Sequence, residues 1–260
     1  MTWRAALLLP ILTLAACATR PFSLPPGPGL PAPEAAAAWA EASGACAGAR
    51  TFRAELRLSG RIDGEPITSG GVNVAIDRAG SIGLEARAFG SQIFHLAGSS
   101  DRATLYLRRD DRVITARAEE IVEALIGVKL GPERLIALLS GCVTRTPTFE
   151  SGVRFGSMIE VTTADGPVVI ERRGGKWEPR AGRFDGLVAE YAQLAGGWPK
   201  ALRIRSEPGR SPAISLSIEV NEFEVNQTIP PSAFVSSAPP TAVPATLEEL
   251  RAAGPLRERK

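Results

Sequence analysis

The clearest pattern in the chain is a strict alternation of apolar and polar residues. From Phe52 to Asp63 every even position is apolar or glycine, and every odd position is polar. A period of two residues is typical of a strand that buries one face and hydrates the other. The same parity continues over 72–76 and 82–88, and the turns between these strands are short. Short turns favour antiparallel hairpins, so the pattern predicts an antiparallel sheet with one apolar face.

The same reading extends along most of the chain, to a total of ten or eleven strands. In the last strand the apolar parity shifts between Val220 and Phe223, which predicts a bulge or a strand end. So many antiparallel strands do not form one flat sheet, and we expect the sheet to curl. Further strands are predicted at 92–97, 103–107, 113–115, 153–163, 168–170, 187–194, 202–205 and 214–225.

Helical patterns interrupt the strand series. An alanine-rich segment at 34–43 favours a first helix, with Trp39 as its large side chain. Apolar residues at helical spacing from 121 to 126 predict a second helix, and a third begins at Gly131-Pro132 and ends at Gly141. The predicted fold class is therefore mainly β with helices, in which the helices fill or cover the concave face of a curled antiparallel sheet.

The first residues have the layout of a secretory signal. Arg4 precedes an apolar run from Ala5 to Ala16, and the run is too short to span a bilayer stably. It ends in Leu-Ala-Ala-Cys, which resembles the lipobox of bacterial lipoproteins, so Cys17 is expected to be the acylated first residue of the mature chain. Ala18 follows instead of Asp, and by family analogy this favours an anchor on the periplasmic face of the outer membrane. The alternative is an ordinary signal peptide with an incidental cysteine.

Four segments follow from composition. Residues 1–16 are the predicted lipoprotein signal peptide, and residues 17–33, rich in proline, are a lipidated N-terminus and tether. Residues 34–235 form one domain. Residues 236–260 are a tail, in which a capping box at Thr246 predicts a short helix.

Charge and titratable residues argue against several functions. Lys and Arg together number 30, Asp and Glu 28, and the formal net charge is +2, so nucleic acid is not an expected partner. The chain has one histidine, His95, with no cysteine or carboxylate at ligand spacing, and it lacks the common hydrolase and nucleotide motifs. We therefore predict a binding protein that is not an enzyme and that holds no metal or cofactor.

Two cysteines remain besides Cys17. In an oxidising envelope compartment, Cys46 and Cys142 form an even pair that indicates a disulfide. Two free buried thiols are the alternative.

Residues 84–141 resemble the LolB-like receptors of the outer-membrane lipoprotein-sorting family, which share the LolA/LolB fold. The likeness rests on Ala88-Phe89-Gly90 between two strands, on Leu125-Ile126-Gly127, and on Leu130-Gly131-Pro132 with the Leu-Leu-Ser-Gly that ends the third helix. Weaker likenesses lie at 58–61 and 224–231, so the resemblance covers most of the domain. The order of these motifs, together with the lipobox, is more specific than any one of them.

The resemblance implies a fold and a function. Its members form an unclosed antiparallel β-barrel with helices over the mouth, and the apolar cavity holds the acyl chains of a client lipoprotein. Receptors of this type accept the client from a soluble periplasmic carrier resembling LolA and release it into the outer membrane, and we expect a monomer. Two alternatives remain: a lipoprotein of the same fold that carries another amphiphile or senses the envelope, and a structural envelope lipoprotein.

Parity and the resemblance together select candidate residues. Phe89 matches the protruding apolar residue that enters the membrane in the receptors; since that residue is aliphatic there, Phe89 could instead fold back into the core. For each cavity residue the alternative is ordinary core packing. The expected acyl cavity is lined by Leu56, Leu58, Val74, Ile76, Leu84, Phe94, Leu96 and Leu105 and covered by Leu125, Leu135 and Leu139.

Overall fold

The computed structural model describes residues 22–68, 70–88, 91–254 and 256 of the 260-residue chain. The predicted signal peptide, Cys17 and Phe89 lie outside the described residues.

The strands form one 16-stranded sheet. Its order along the sheet is β1-β9-β10-β11-β12-β13-β14-β15-β2-β4-β5-β6-β7-β8-β16, and β3 pairs with β2 beside this path. The strands are β1 (Leu30–Pro31), β2 (Thr51–Ile62), β3 (Glu65–Thr68), β4 (Gly71–Asp77), β5 (Ser81–Ala88), β6 (Ser91–Ser99), β7 (Ala103–Leu107), β8 (Arg112–Ala116), β9 (Ser151–Phe155), β10 (Met158–Thr163), β11 (Gly166–Arg173), β12 (Lys176–Phe184), β13 (Leu187–Ala195), β14 (Trp198–Ser206), β15 (Ile214–Val225) and β16 (Val243–Pro244).

The centre of the sheet joins the two halves of the sequence. The long strands β2 and β15 pair antiparallel, with Leu58 opposite Ile218. Strands β4 to β8 continue the sheet on one side as an N-terminal half, and β14 back to β9 continue it on the other as a C-terminal half. The register of β2 and β15 shifts between Val220 and Glu222, which confirms the predicted bulge.

The helices are α1 (Ala35–Ala47), α2 (Ala118–Ile126), α3 (Pro132–Ser140) and α4 (Leu247–Ala253), and a 3-10 turn covers Pro231–Phe234. The α2–α3 pair lies where the sequence predicted it. Each of the two ends at a glycine in the left-handed region, Gly127 with φ 72° and Gly141 with φ 96°, a conformation that favours glycine. Helix α1 continues past Ser43, its predicted end, to Ala47.

Within the described residues the structure has sixteen strands, more than the ten or eleven that the sequence predicted. The additional strands include the short β3, which pairs with β2, and the terminal β1 and β16. Two strand predictions also differ from the structure. The segment at 153–163 is a hairpin of β9 and β10, because Gly156, with φ 64°, reverses the chain there. Strand β12 did not emerge from the alternation at all. It contains Pro179, and it buries Ala181 and Gly182 in succession, so its apolar residues follow no single parity.

Both ends of the sheet are made from the terminal segments. Strand β1 pairs with β9, and β16 pairs parallel with β8, so residues from the predicted tether and from the predicted tail form the two edges. Each edge strand has two residues and includes a proline, a composition that limits pairing with other chains. The predicted terminal helix is α4, and its Leu250 is buried.

The core is one large cluster on the concave side of the sheet, and a small second cluster contains Cys46, Ala137 and Cys142. The large cluster contains buried residues from β2 to β15 and from α1, α2 and α3. Helix α3 contacts β4 of the N-terminal half and β14 of the C-terminal half, so it lies across the interior. Helix α1 covers β9 to β12, and α2 contacts β7. The predicted fold class, a curled and unclosed antiparallel sheet with a helical cover, is confirmed.

Candidate functional site

The structure gathers the predicted cavity residues in the concave interior. All eleven belong to the core cluster or pack against it. Nine are at most 8% exposed, and Leu84 and Leu135 are half-buried. The interior in this state is therefore in close contact with its own helices, and the role of these residues in binding an acyl chain stays a prediction.

Helix α3 is held firmly at its C-terminal end. The Tyr191 hydroxyl, buried beneath the helix, donates to the Leu138 carbonyl at 3.1 Å. Burial raises the pKa of this phenol far above its ordinary value. Just after the helix, Cys142 is bonded to Cys46 of α1, with the two Cα atoms 5.7 Å apart. This distance is typical of a disulfide, and the bridge ties α3 to α1.

A buried arginine anchors the first turn of α3. The Arg134 side chain is 8% exposed, lies 3.6 Å from the Asp165 carboxylate, and stacks its guanidinium 5.0 Å from the centre of the Phe184 ring. Asp165 also accepts the backbone N–H of Arg145 at 2.7 Å and its Nη2 at 3.0 Å. Burial acts to raise the pKa of Asp165, but the hydrogen bonds from Arg145 and the charges of Arg134 and Arg145 outweigh it, so this pKa lies below its usual value.

The segment that follows α3 is strained and tightly packed. Val143 is fully buried with φ 63°, a left-handed conformation that β-branched residues rarely adopt. Its carbonyl accepts Arg134 Nη1 at 2.9 Å. A Cβ at Gly182 would lie 2.9 Å from the Val143 side chain, so β12 needs a glycine at this point. These contacts fix the C-terminal end of α3 to the sheet.

Helix α2 is attached differently. Ile121, Val122 and Leu125 bury its inner face, and among the described residues no side-chain hydrogen bond joins α2 to the sheet. Its outer contact is α4, whose Leu250 is 1% exposed. The ion pair of Arg112 and Glu249, at 2.6 Å, holds α4 beside β8. Apolar packing, a second helix and one backbone hydrogen bond, from the Ala118 N–H to the Ser100 carbonyl at 3.0 Å, therefore keep α2 in place.

A charged cleft of about 660 Å³ opens beside the α2–α3 connection. The turns at 185–187 and 210–214 form its opposite wall. Glu119 and Arg134 come from the two helices and Lys129 from the connection between them, whereas Asp185 and Arg210 come from the turns. Glu119 pairs with Lys129 at 3.6 Å and Arg134 with Asp185 at 3.7 Å, whereas Arg210 has no ion pair within the described ranges. The sequence did not predict this cleft because its residues come from two helices and two turns that are far apart in the chain.

The convex face carries a second feature that the sequence did not predict. Residues 22–24, from the predicted tether, form one wall of a groove of about 340 Å³, and β10 to β14 form the others. The Phe22 N–H donates to Glu190 Oε1 at 3.0 Å, and Glu190 pairs with Arg205. In the same groove Val169 and Ala181 are buried although they point away from the core.

His95 lies on the convex face of the other half. Its Nδ1 is 3.0 Å from Ser237 Oγ, in the predicted tail, shortly after the 3-10 turn at Pro231–Phe234 that contacts β5 and β6. Burial lowers the pKa of His95, although the Glu85 charge acts to raise it. The described residues hold no group of three metal-ligating side chains, and no described helix is long and apolar enough to cross a membrane.

Comparison with known proteins identifies the architecture. Neither a protein-family model nor a curated protein matches the sequence. The LolA superfamily protein NE2245 from Nitrosomonas europaea superposes with a TM-score of 0.50 at 9% identity, over 78% of this chain and 97% of that one. The chain has a LolA-type fold.

Two further solved structures align less well with this LolA-type fold. A DUF1329 family protein from Desulfovibrio piger has a TM-score of 0.49 at 10% identity, over 78% of this chain and 98% of its own. A candidate outer membrane lipoprotein-sorting protein domain from Vibrio parahaemolyticus has a TM-score of 0.46 at 11% identity, over 77% and 94%.

Proposed function

We propose that this chain is a lipid-anchored protein of the bacterial outer membrane that binds the acyl chains of lipoproteins and is not an enzyme. The observation that carries the proposal is the large apolar core enclosed by an unclosed, LolA-type sheet and covered by α2 and α3. Burial in such an interior is worth about 0.8 kcal/mol per methylene, and a chain that moves from one apolar site to another exchanges one burial for another. Transfer then needs no bond chemistry.

Binding requires the cover to move, because the candidate cavity residues are already packed. Helix α3 is tied by Tyr191, by Arg134 and by the bridge at Cys142, whereas α2 rests on apolar contacts and on α4. We infer that α2 swings away and that the acyl chain takes its place against Leu96, Leu105 and their neighbours. The charged cleft beside the α2–α3 connection would then receive the polar part of the client.

The remaining parts of the proposal rest on the sequence. Cys17 is the acylated anchor, and the protein accepts its client, as a monomer, from a soluble periplasmic carrier of the same fold. Phe89 is the residue that would enter the membrane when the client is released. The resemblance of residues 84–141 to LolB-like receptors supports this direction of transfer.

The decisive experiment loads a periplasmic carrier with a radiolabelled lipoprotein and mixes it with the full chain. We expect the label to move to this protein, and hydrogen exchange of the α2 amides to rise while those of α3 stay protected. A Leu250→Ala variant, which removes the buried contact of α4, should speed the uptake. Its matched control is Leu247→Ala, which shortens a half-buried leucine of the same helix. If no label moves and α2 exchange is unchanged, the proposal fails.

One observation favours a second candidate, a structural envelope lipoprotein. Nine of the eleven predicted cavity residues are already buried against the protein's own side chains, as in a filled core. In that case the purified protein would carry no lipid detectable by mass spectrometry and would take none from the carrier. A third outcome, in which free lipids bind but the carrier keeps its client, would indicate a protein that carries another amphiphile.

A further inference from the structure

Three hairpin tips of the C-terminal half lie side by side, where six neighbouring strands of the sheet end. They join β9 to β10, β11 to β12 and β13 to β14, six strands that are consecutive in the sheet. The closing pairs are Phe155 with Met158, Arg173 with Lys176, and Ala195 with Trp198. Since neighbouring strands are about 4.8 Å apart, adjacent tips are separated by about 10 Å. We call residues 155–158, 172–177 and 194–200 the basic hairpin edge.

The composition of the basic hairpin edge is unusual for this chain. It contains four cations and no carboxylate, although the whole protein is nearly neutral. Among the described residues Arg172 and Lys176 have no ion pair, whereas Arg173 is held by Glu171 at 2.6 Å. Lys200 Nζ lies 4.5 Å over the Phe223 ring. Arg172 and Lys176 are therefore exposed cations at the tip, with no ion pair in the part of the chain that the structure describes, although Glu171 and Glu178 lie directly behind them in the same hairpin.

Aromatic side chains alternate with these charges. Trp177 and Trp198 are half-buried, each packing one part of its ring against the core while the rest reaches the surface. Phe155, Met158 and Leu194 are also half-buried at the same tips. Indole rings with an apolar body and a polar N–H collect at the boundary between bilayer and water, and lysine and arginine beside them attract anionic headgroups.

The proposed lipid anchor is tied to the same half of the molecule, a step that rests on the acylation of Cys17. Phe22 is hydrogen-bonded to Glu190 of β13, and it lies five positions after Cys17, a reach of at most about 18 Å. Glu190 is five residues from Ala195 at the tip of its own strand, about 17 Å along β13. The maximum reach is therefore long enough for the anchor to lie level with the basic hairpin edge.

We propose that the basic hairpin edge is a membrane-contact surface that docks the domain on an anionic bilayer through Trp177, Trp198 and the cations beside them. The contact orients the domain on its anchor, and it does not depend on whether the interior binds acyl chains.

The test mixes the full chain with vesicles that carry brominated lipids, which quench nearby tryptophans. We expect strong quenching with equal parts of phosphatidylglycerol and phosphatidylcholine, little with phosphatidylcholine alone, and loss at high salt. Trp177→Phe and Trp198→Phe should each remove part of the quenching. Each cation lost near an anionic surface weakens membrane binding about fivefold. Arg172→Gln combined with Lys176→Gln should therefore lower the ratio of docked to undocked protein about 30-fold.

A matched control removes two exposed cations from elsewhere, through Arg57→Gln with Arg109→Gln, and should leave the quenching unchanged. Equal quenching in neutral and anionic vesicles, or equal loss in the two double variants, would overturn the proposal. A protein that is quenched normally but takes no acyl chain from a carrier would keep this inference and refute the proposed function. A protein that takes an acyl chain from a carrier but shows no quenching that depends on anionic lipid would keep the proposed function and refute this inference.

Discussion

Removal of the bridge between Cys46 and Cys142 should loosen α3 and lower the free energy of unfolding. The two cysteines are 96 residues apart, and on the chain-entropy model closing a loop of that length stabilises by about 4.7 kcal/mol. Removal of a native bridge typically costs about 2 to 5 kcal/mol, so we expect Cys46→Ala with Cys142→Ala to fall in this range. Urea denaturation measures the loss, and hydrogen exchange should show that the amides of α3 lose protection before those of the sheet.

The double variant also removes two buried sulfur atoms, since both residues are at most 2% exposed. Reduction of the unmutated protein separates the two effects because it opens the bridge and keeps the sulfur atoms in the core. If the cross-link is the main term, reduction should account for most of the loss. The reasoning is refuted if both thiols react in the unfolded protein without a reductant, or if reduction leaves the unfolding free energy and α3 exchange unchanged.

Three further predictions concern single side chains. Tyr191→Phe removes the hydrogen bond to the Leu138 carbonyl and should cost about 1 kcal/mol in urea denaturation, more than Tyr106→Phe, whose hydroxyl bonds Asp111 at an exposed site. Asp165→Asn should cost about 1.5 to 3 kcal/mol at neutral pH because it weakens charged hydrogen bonds from Arg145. Folding lowers the pKa of Asp165, so its contribution to stability is present above the ordinary aspartate pKa and is lost as the pH falls through the folded value. If the variant loses stability at acidic pH as steeply as the unmutated protein, this prediction is contradicted. Folding lowers the pKa of His95, so the unfolded state takes up the proton first and the free energy of unfolding should fall as the pH drops below 6.5. His95→Gln should make this fall less steep in denaturation measured at several pH values. An equally steep fall in the variant would count against the prediction.

The sequence predicted the fold well where one face of a strand is buried and the other is hydrated. In β2 the apolar residues at even positions from Phe52 to Leu58 are buried, and the polar residues between them are exposed. The sequence pattern and the structure therefore agree at every residue of this segment. The α2–α3 pair was also predicted, because apolar spacing and Gly127 and Gly141 mark both the faces and the ends. In each case the signal lies within a few neighbouring residues.

The candidate site was only partly predictable, because its fixing contacts join residues far apart in the chain. Parity placed Leu96 and Leu105 in the interior correctly. It could not show that Tyr191 reaches a carbonyl of α3, or that Arg134 and Asp165 meet beneath that helix. The one local sign was a charged residue, Arg134, within an apolar helix, and its partner lies 31 positions away in a turn. These contacts fix α3 to the sheet.

The failures of parity have a common physical cause. Val169 and Ala181 point to the convex side yet are buried, and they line the same groove as residues 22–24. Ala97 and Gly83 are buried on the convex side of the other half, where the Ala233 carbonyl lies against Gly83.

The covering segments escaped prediction because their composition, rich in proline and small residues, is that of linkers. Yet Phe22 and Leu24 line one groove with Val169 and Ala181, the apolar residues that break the alternation of β11 and β12. Apolar residues of the wrong parity in a strand therefore indicate that another segment covers its outer face, and a neighbouring stretch rich in proline is a candidate for that segment. By the same logic the two-residue strands β1 and β16 belong to the domain, since they close both edges of a sheet that would otherwise expose unpaired backbone.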